Sequence, residues 1–233
     1  MTAKPKNSID FVSEIKKAWH LNETKVKLKF VPDNSSYAIT IPKRGLFRGV
    51  RLEIRADPSH SYDIIWHEGA HVHLHCVGYP AIALRVKSQY VHTFLKYVSD
   101  LVDEYYADKL ELEKKGKTTS EKITQLWTQF DTALKCQADL LGVEVSAIQS
   151  AIAVRLLEDY DNNLAAKANQ QISQGWDTFQ RKTAAALAII RQTPPIPPTP
   201  SSKFTKSEVA LIRQLVKESC ETVYDGTCTL EEI

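Results

Sequence analysis

The chain predicts an α+β fold: a small antiparallel sheet and one long helix in the first half, followed by a mostly helical C-terminal region. Three observations carry that expectation. Three short segments before residue 57 alternate apolar and polar residues at period two, and from Asp57 onward apolar residues recur at the spacing of amphipathic helices. Pro, Gly, Asn and Ser fall at the boundaries between these segments, where turns need them. With 233 residues, 43% of them hydrophobic, the chain is long enough to bury a sizeable core.

In order, "SIDFVSEIKKAW" reads as an N-terminal helix, and "VKLKF", "YAITI" and "VRLEIRA" read as half-buried strands with Val26, Leu28, Phe30, Tyr37, Ile39, Ile41, Leu52, Ile54 and Ala56 inward. A helix of about five turns follows, from Asp57-Pro58-Ser59 to Gly78, with Pro80 beyond its end. The next helix is expected over 88–115, carrying Val91, Leu95, Val98, Leu101 and Val102, with Gly116 as its stop. Three more amphipathic stretches, 120–141, 145–165 and 170–192, carry apolar faces that include Trp127, Ile152 and Trp176. "TPPIPPTPSS" at 193–202 reads as a polyproline-type spacer before a last helix with Val209, Ile212, Leu215 and Val216. The domain expectation is a first unit over 1–116, a helical extension over 117–192, a linker over 193–202 and a C-terminal helix and tail over 203–233.

Thirty basic residues against 28 acidic give +2, with no long block of either sign, so no nucleic-acid partner is expected. The sequence holds no apolar run of membrane-spanning length and no apolar core of a signal peptide at its start, which predicts a soluble, cytoplasmic protein without a membrane partner. Four cysteines, at 76, 136, 220 and 228, lack CxxC spacing and fit reduced thiols.

The chemistry concentrates in "IIWHEGAHVHLHCVGYP". His67-Glu68-Gly69-Ala70-His71 is an HExxH pattern. On a helix, residues four apart lie about 40° around and about 6 Å along, so both imidazoles reach one metal ion from the same face. Glu68 is offset by about 100° and is suited to take a proton from a metal-activated water as general base. Three protein ligands and an open position would make the site catalytic, and zinc is the expected cofactor.

The third ligand is argued from reach. His75 lies eight residues from His67, about 12 Å along the same helix, too far to share one ion. Extended HExxHxxGxxH chemistry is excluded, since Leu74 and Val77 stand where Gly and His would be needed. Glu104, 33 residues after His71, lies on the following helix with Asp108 one turn later on the same face. Metal-bound imidazoles give their other N–H to a carboxylate, which makes Glu104 the expected ligand and Asp108 its neighbour, with Asp103 and Asp100 as alternatives.

HEGAH followed by a second-helix ExxxD resembles the gluzincin metallopeptidases over about residues 20 to 115. The resemblance implies a zincin-like fold, zinc held by His67, His71 and Glu104, Glu68 as base in peptide-bond hydrolysis, Asp108 orienting a ligand histidine, and a peptide or protein substrate lying extended along Val50 to Ala56. Asp103 stands where larger members often carry Asn, and no oxyanion-stabilising histidine is assigned. "EYYADKLEL" also resembles the helix after HExxH in ImmA/IrrE-type regulatory peptidases, a subtype alternative. A non-catalytic protein, in which metal braces two helices, is the alternative from another class.

His73 and His75 read as packing residues, Cys76 as a small buried apolar residue, and Tyr90, His92, Tyr97, Tyr105 and Tyr106 as core or cleft aromatics. The Pro-rich spacer is long enough to return the tail, 203–233, to the cleft, where it is expected to keep the enzyme latent with Cys220, Cys228 or an acidic residue near the open metal position.

Overall fold

A computed structural model describes residues 11–21, 27–32, 39–44, 50–56, 61–86, 97–98, 100–136, 142–199 and 201–232. The expectations for Val26, Tyr37, Asp57 to Ser59, Tyr90, Val91, His92 and Leu95, and for the side chains of the first three strands, lie outside the described residues.

The architecture is α+β. Helix α1 (Phe11–Ala18) precedes strands β1 (Lys27–Pro32), β2 (Ile39–Arg44) and β3 (Val50–Ala56), and α2 (Ser61–Cys76) carries the histidine motif. The three strands form one sheet in the order β1-β3-β2. The antiparallel expectation holds for β2 against β3, with Ile41 opposite Glu53, and fails for β1, which runs parallel to β3 with Leu28 opposite Leu52. Hairpin logic assumes that successive strands are neighbours; here β3 inserts between the first two. Pro42 lies in β2, an edge strand, where a residue without an N–H costs the sheet least.

A second, antiparallel sheet follows α2. Its centre is β4 (Ile82–Val86), flanked by β5 (Tyr97–Val98) and by β6 (Cys228–Glu232), with Leu84 opposite Leu230. Neither the strand after Pro80 nor the one in the tail was expected. Helix α3 (Leu101–Lys114) accordingly starts well after the predicted residue 88. Its start is fixed by Asp100, whose side chain accepts hydrogen bonds from the backbone N–H groups of Val102 and Asp103.

The C-terminal body comprises α4 (Thr119–Lys135), α5 (Val143–Tyr160), α6 (Asn162–Ile172), α7 (Asp177–Ile190) and α8 (Lys206–Thr222). Thr118 and Thr205 start α4 and α8 with reciprocal capping boxes to Glu121 and Glu208. The predicted 145–165 helix is broken by Asp161, which leaves the helical conformation (φ −154°) and caps α6 through Asn163 and Leu164 N–H. Trp176, expected on the apolar face of the 170–192 stretch, instead stands 62% exposed at the start of α7.

Helix α5 is the centre of this body. Its small residues Ser146, Ala147, Ser150, Ala151 and Ala153 are buried and let α4 and α7 approach closely. One contiguous apolar core runs from Ile15 through α2, α3 and α5 to Cys228. The Pro-rich stretch belongs to it too: Tyr106 Oη donates to Pro194 O at 2.5 Å, and Phe204 N donates to Val77 O at 2.9 Å while its ring stacks on Tyr106. No helix among the described residues is long and apolar enough to cross a membrane.

Candidate metal centre

Helix α2 is held by different neighbours on different faces. On one, Trp19 of α1 donates from Nε1 to Ile65 O at 3.1 Å and packs on Trp66 and His73. Gly69 makes that approach possible, since a Cβ there would lie 2.1 Å from Trp19 Nε1. The helix ends as its sequence requires: Gly78 takes φ +93°, Tyr79 N donates to Leu74 O and Gly78 N to His75 O, a Schellman motif. On the face opposite Trp19 lies α3, where Glu104, Asp108 and Glu111 fall in one stripe at spacings of four and three.

Between these two helices His67, His71 and Glu104 converge. The two Nε2 atoms are 3.2 Å apart, His67 Nε2 lies 3.3 Å from Glu104 Oε2, and His71 Nε2 lies 3.9 Å from Glu104 Oε1. All three residues can offer ligand atoms within 4.8 Å of one another. A tetrahedral zinc ion with bonds of 2.0–2.1 Å sets its ligand atoms roughly 3.3 Å apart, close to these separations.

The other ring nitrogens face outward to carboxylates. His67 Nδ1 makes a 3.1 Å hydrogen bond with Glu111 Oε2 and lies 3.3 Å from Asp108 Oδ1. His71 Nδ1 lies 3.1 Å from Asp103 Oδ2, but neither that nitrogen nor Asp103 Oδ1 has an aligned hydrogen-bond partner. With both Nδ1 atoms facing carboxylates, the two Nε2 atoms and a Glu104 oxygen face one another, an arrangement suited to hold a cation.

Charge counting gives the same answer. Among the described residues, Asp103, Glu104, Asp108 and Glu111 surround the imidazoles, and Lys115 Nζ lies 2.5 Å from Glu111. Burial by itself would lower the His67 pKa, yet Asp108, Glu104 and Glu111 hold it well above the ordinary imidazole value. For His71, burial is likewise outweighed by Asp103 and Glu104, which raise it to about 9. Glu111 is held below the usual carboxylate range: burial would raise it, but His67 and Lys115 outweigh burial. The donor set fits a divalent cation.

Glu68 is buried, 2% exposed, on the turn that carries His67. Asp108 also accepts from Gln129 Nε2 at 2.9 Å, which ties it to α4. His75 lies apart from the cluster, its ring edge-on to Tyr79, and burial lowers its pKa. His73 packs on Trp19, with its pKa lowered to about 4 by burial, Lys114 and Lys203. Cys76 is buried, and its carbonyl accepts from Lys203 Nζ. Cys220 and Cys228 belong to neither candidate metal group among the described residues.

Glu111 and Lys115 escaped the sequence reading, although the Glu104-Asp108-Glu111 stripe was visible in "EYYADKLELEKK". The expected substrate strand is also corrected. Residues Val50 to Ala56 form the middle strand, paired on both sides, and have no free edge for a peptide. Comparison with protein-family models, curated proteins and solved structures finds no match.

Proposed function

We propose that the protein is a zinc-dependent metallopeptidase of gluzincin type, with residues 1–116 as a zincin-like catalytic unit and the later helices as its extension. The observation that supports this reading most is the two-sided use of each imidazole: Nε2 toward Glu104 and the other histidine, Nδ1 toward a carboxylate. In it His67, His71 and Glu104 hold zinc, which would polarise a substrate carbonyl and lower the pKa of a bound water to about 7. Glu68 accepts the proton of the attacking water on its carboxylate and passes it to the departing amine. Glu111 and Asp108 fix the ring and tautomer of His67, and Asp103 faces His71.

A peptide substrate would dock as an added strand on the outer edge of β2, which pairs only with β3 among the described residues and runs against α2. The test combines elemental analysis of the purified chain with digestion of a mixed peptide library. One zinc per chain with chelator-sensitive cleavage supports the reading. Zinc without cleavage favours a metal that braces α2 against α3.

A further inference from the structure

Helix α3 closes a second recess on the side away from the metal cluster. Relative to Glu104, the residues Tyr105, Lys109 and Tyr106 lie about 100°, 140° and 200° around the helix. A cavity of about 240 Å³ opens between them, α5, the end of α7 and the Pro-rich segment. That is room for roughly eight waters at about 30 Å³ each.

Its lining is chemically uneven. Lys109, Arg155 and Arg191 line it, and no carboxylate is among the lining residues. The acids that pair with these bases are not part of the wall: Asp159 lies 2.8 Å from Arg155 Nη1 and 3.7 Å from Lys109 Nζ, and Glu158 pairs with Arg191. The wall thus presents three cations, with Asp159, Glu158 and Glu113 beside or behind it. Ile190, Pro194, Pro195 and Ile196 supply an apolar wall.

Two tyrosines complete the site, and they differ. The Tyr106 hydroxyl is committed to Pro194 O. Tyr105 is only 3% exposed and lines the cavity, yet its hydroxyl has no hydrogen-bond partner among the described residues. Burial pushes its phenol up, so it stays a proton donor. A hydroxyl donor without a protein acceptor, beside a cationic lining and an apolar wall, is the complement of an amphiphilic anion. With each lining base already paired to an acid, a monoanion fits better than a phosphate dianion.

We propose that this cavity binds a small organic carboxylate with a compact apolar body. The carboxylate meets Arg155, Lys109 and the Tyr105 hydroxyl, and the body lies on Ile190, Pro194 and Ile196. The site is separate from the metal cluster and stands whether or not the chain cleaves peptides.

The test titrates the full chain with benzoate, with neutral benzamide of the same shape, and with phenyl phosphate, following amide chemical shifts by NMR. Benzoate is expected to saturate shifts around Tyr105 and Pro195, with benzamide at least about 10-fold weaker because it lacks the charge-assisted hydrogen bonds. Tyr105→Phe, which keeps the ring and its packing, is expected to weaken benzoate by about 3- to 10-fold, and Lys109→Gln to weaken it as well. Melting curves of both variants check that they fold. Equal binding of benzamide, tighter binding of phenyl phosphate, no saturable shift at the cavity, or indifference to Tyr105→Phe would each overturn the proposal. So would benzoate shifts confined to His67 and His71.

Discussion

Oε2 of Glu111 lies 3.1 Å from Nδ1 of His67, on the opposite side of the ring from Glu104. The imidazole is therefore held between two carboxylates of one helix, one at each nitrogen. These two contacts set its orientation. This relationship changes which residue should matter most for holding the ring, because Asp108, the neighbour expected from the sequence, approaches the same nitrogen at 3.3 Å without an aligned hydrogen bond.

Glu111→Gln and Asp108→Asn are each expected to lower zinc affinity, by about 10- to 100-fold, with the larger loss at Glu111. Competition against a fluorescent chelator measures it. A Glu111→Gln loss no greater than that of Lys217→Ala, a variant of an exposed residue far along α8, would remove Glu111 from the site.

His67→Ala, His71→Ala and Glu104→Ala should each abolish stoichiometric zinc binding, while His75→Ala should leave it unchanged. His75 shares the helix but faces Tyr79, outside the cluster. Elemental analysis after gel filtration separates the two classes, and retention of zinc by Glu104→Ala would displace it as third ligand.

Gly69→Ala tests the motif's packing apart from its chemistry. The added methyl would meet Trp19 Nε1 at 2.1 Å, so Trp19 or α2 must shift, and the expected loss of stability is about 1–3 kcal/mol. Thermal melting that matches wild type would show that α1 can move without cost.

The tail is built into the core. Ile212, Leu215, Val216 and Val223 are fully buried, β6 completes the second sheet, and the buried Lys182 ties Val223 O (2.5 Å) and Asp225 (2.6 Å) to α7. Truncation after Thr193 should therefore yield a chain without a cooperative melt, in place of an activated enzyme. A cooperatively folded truncation with faster hydrolysis would restore the latent-enzyme expectation.

What the sequence disclosed followed from how local each signal is. Gly78 and the four-residue histidine spacing are read within one or two turns of helix, and the structure ends α2 at that glycine and sets His67 beside His71. Glu104 was reachable because a helix packing back on α2 is the economical path for the chain. Strand neighbours were not local: β1 pairs with β3 across an intervening strand, and β6 meets β4 from 146 residues away (Leu84 opposite Leu230). Breaks set by a single cap were misjudged because Asp100 and Asp161 sit inside otherwise continuous apolar periodicity. The Glu111 carboxylate was missed since its partner Lys115 made it resemble an ordinary surface pair four residues apart.

In the proposed mechanism Glu68 moves a proton and does not hold the ion. The most direct measurement is zinc content and peptide hydrolysis on the same preparation of Glu68→Gln beside wild type. Equal zinc per chain with hydrolysis lost in the variant is the expected result. Zinc lost together with activity, or hydrolysis retained at the wild-type rate, would contradict it.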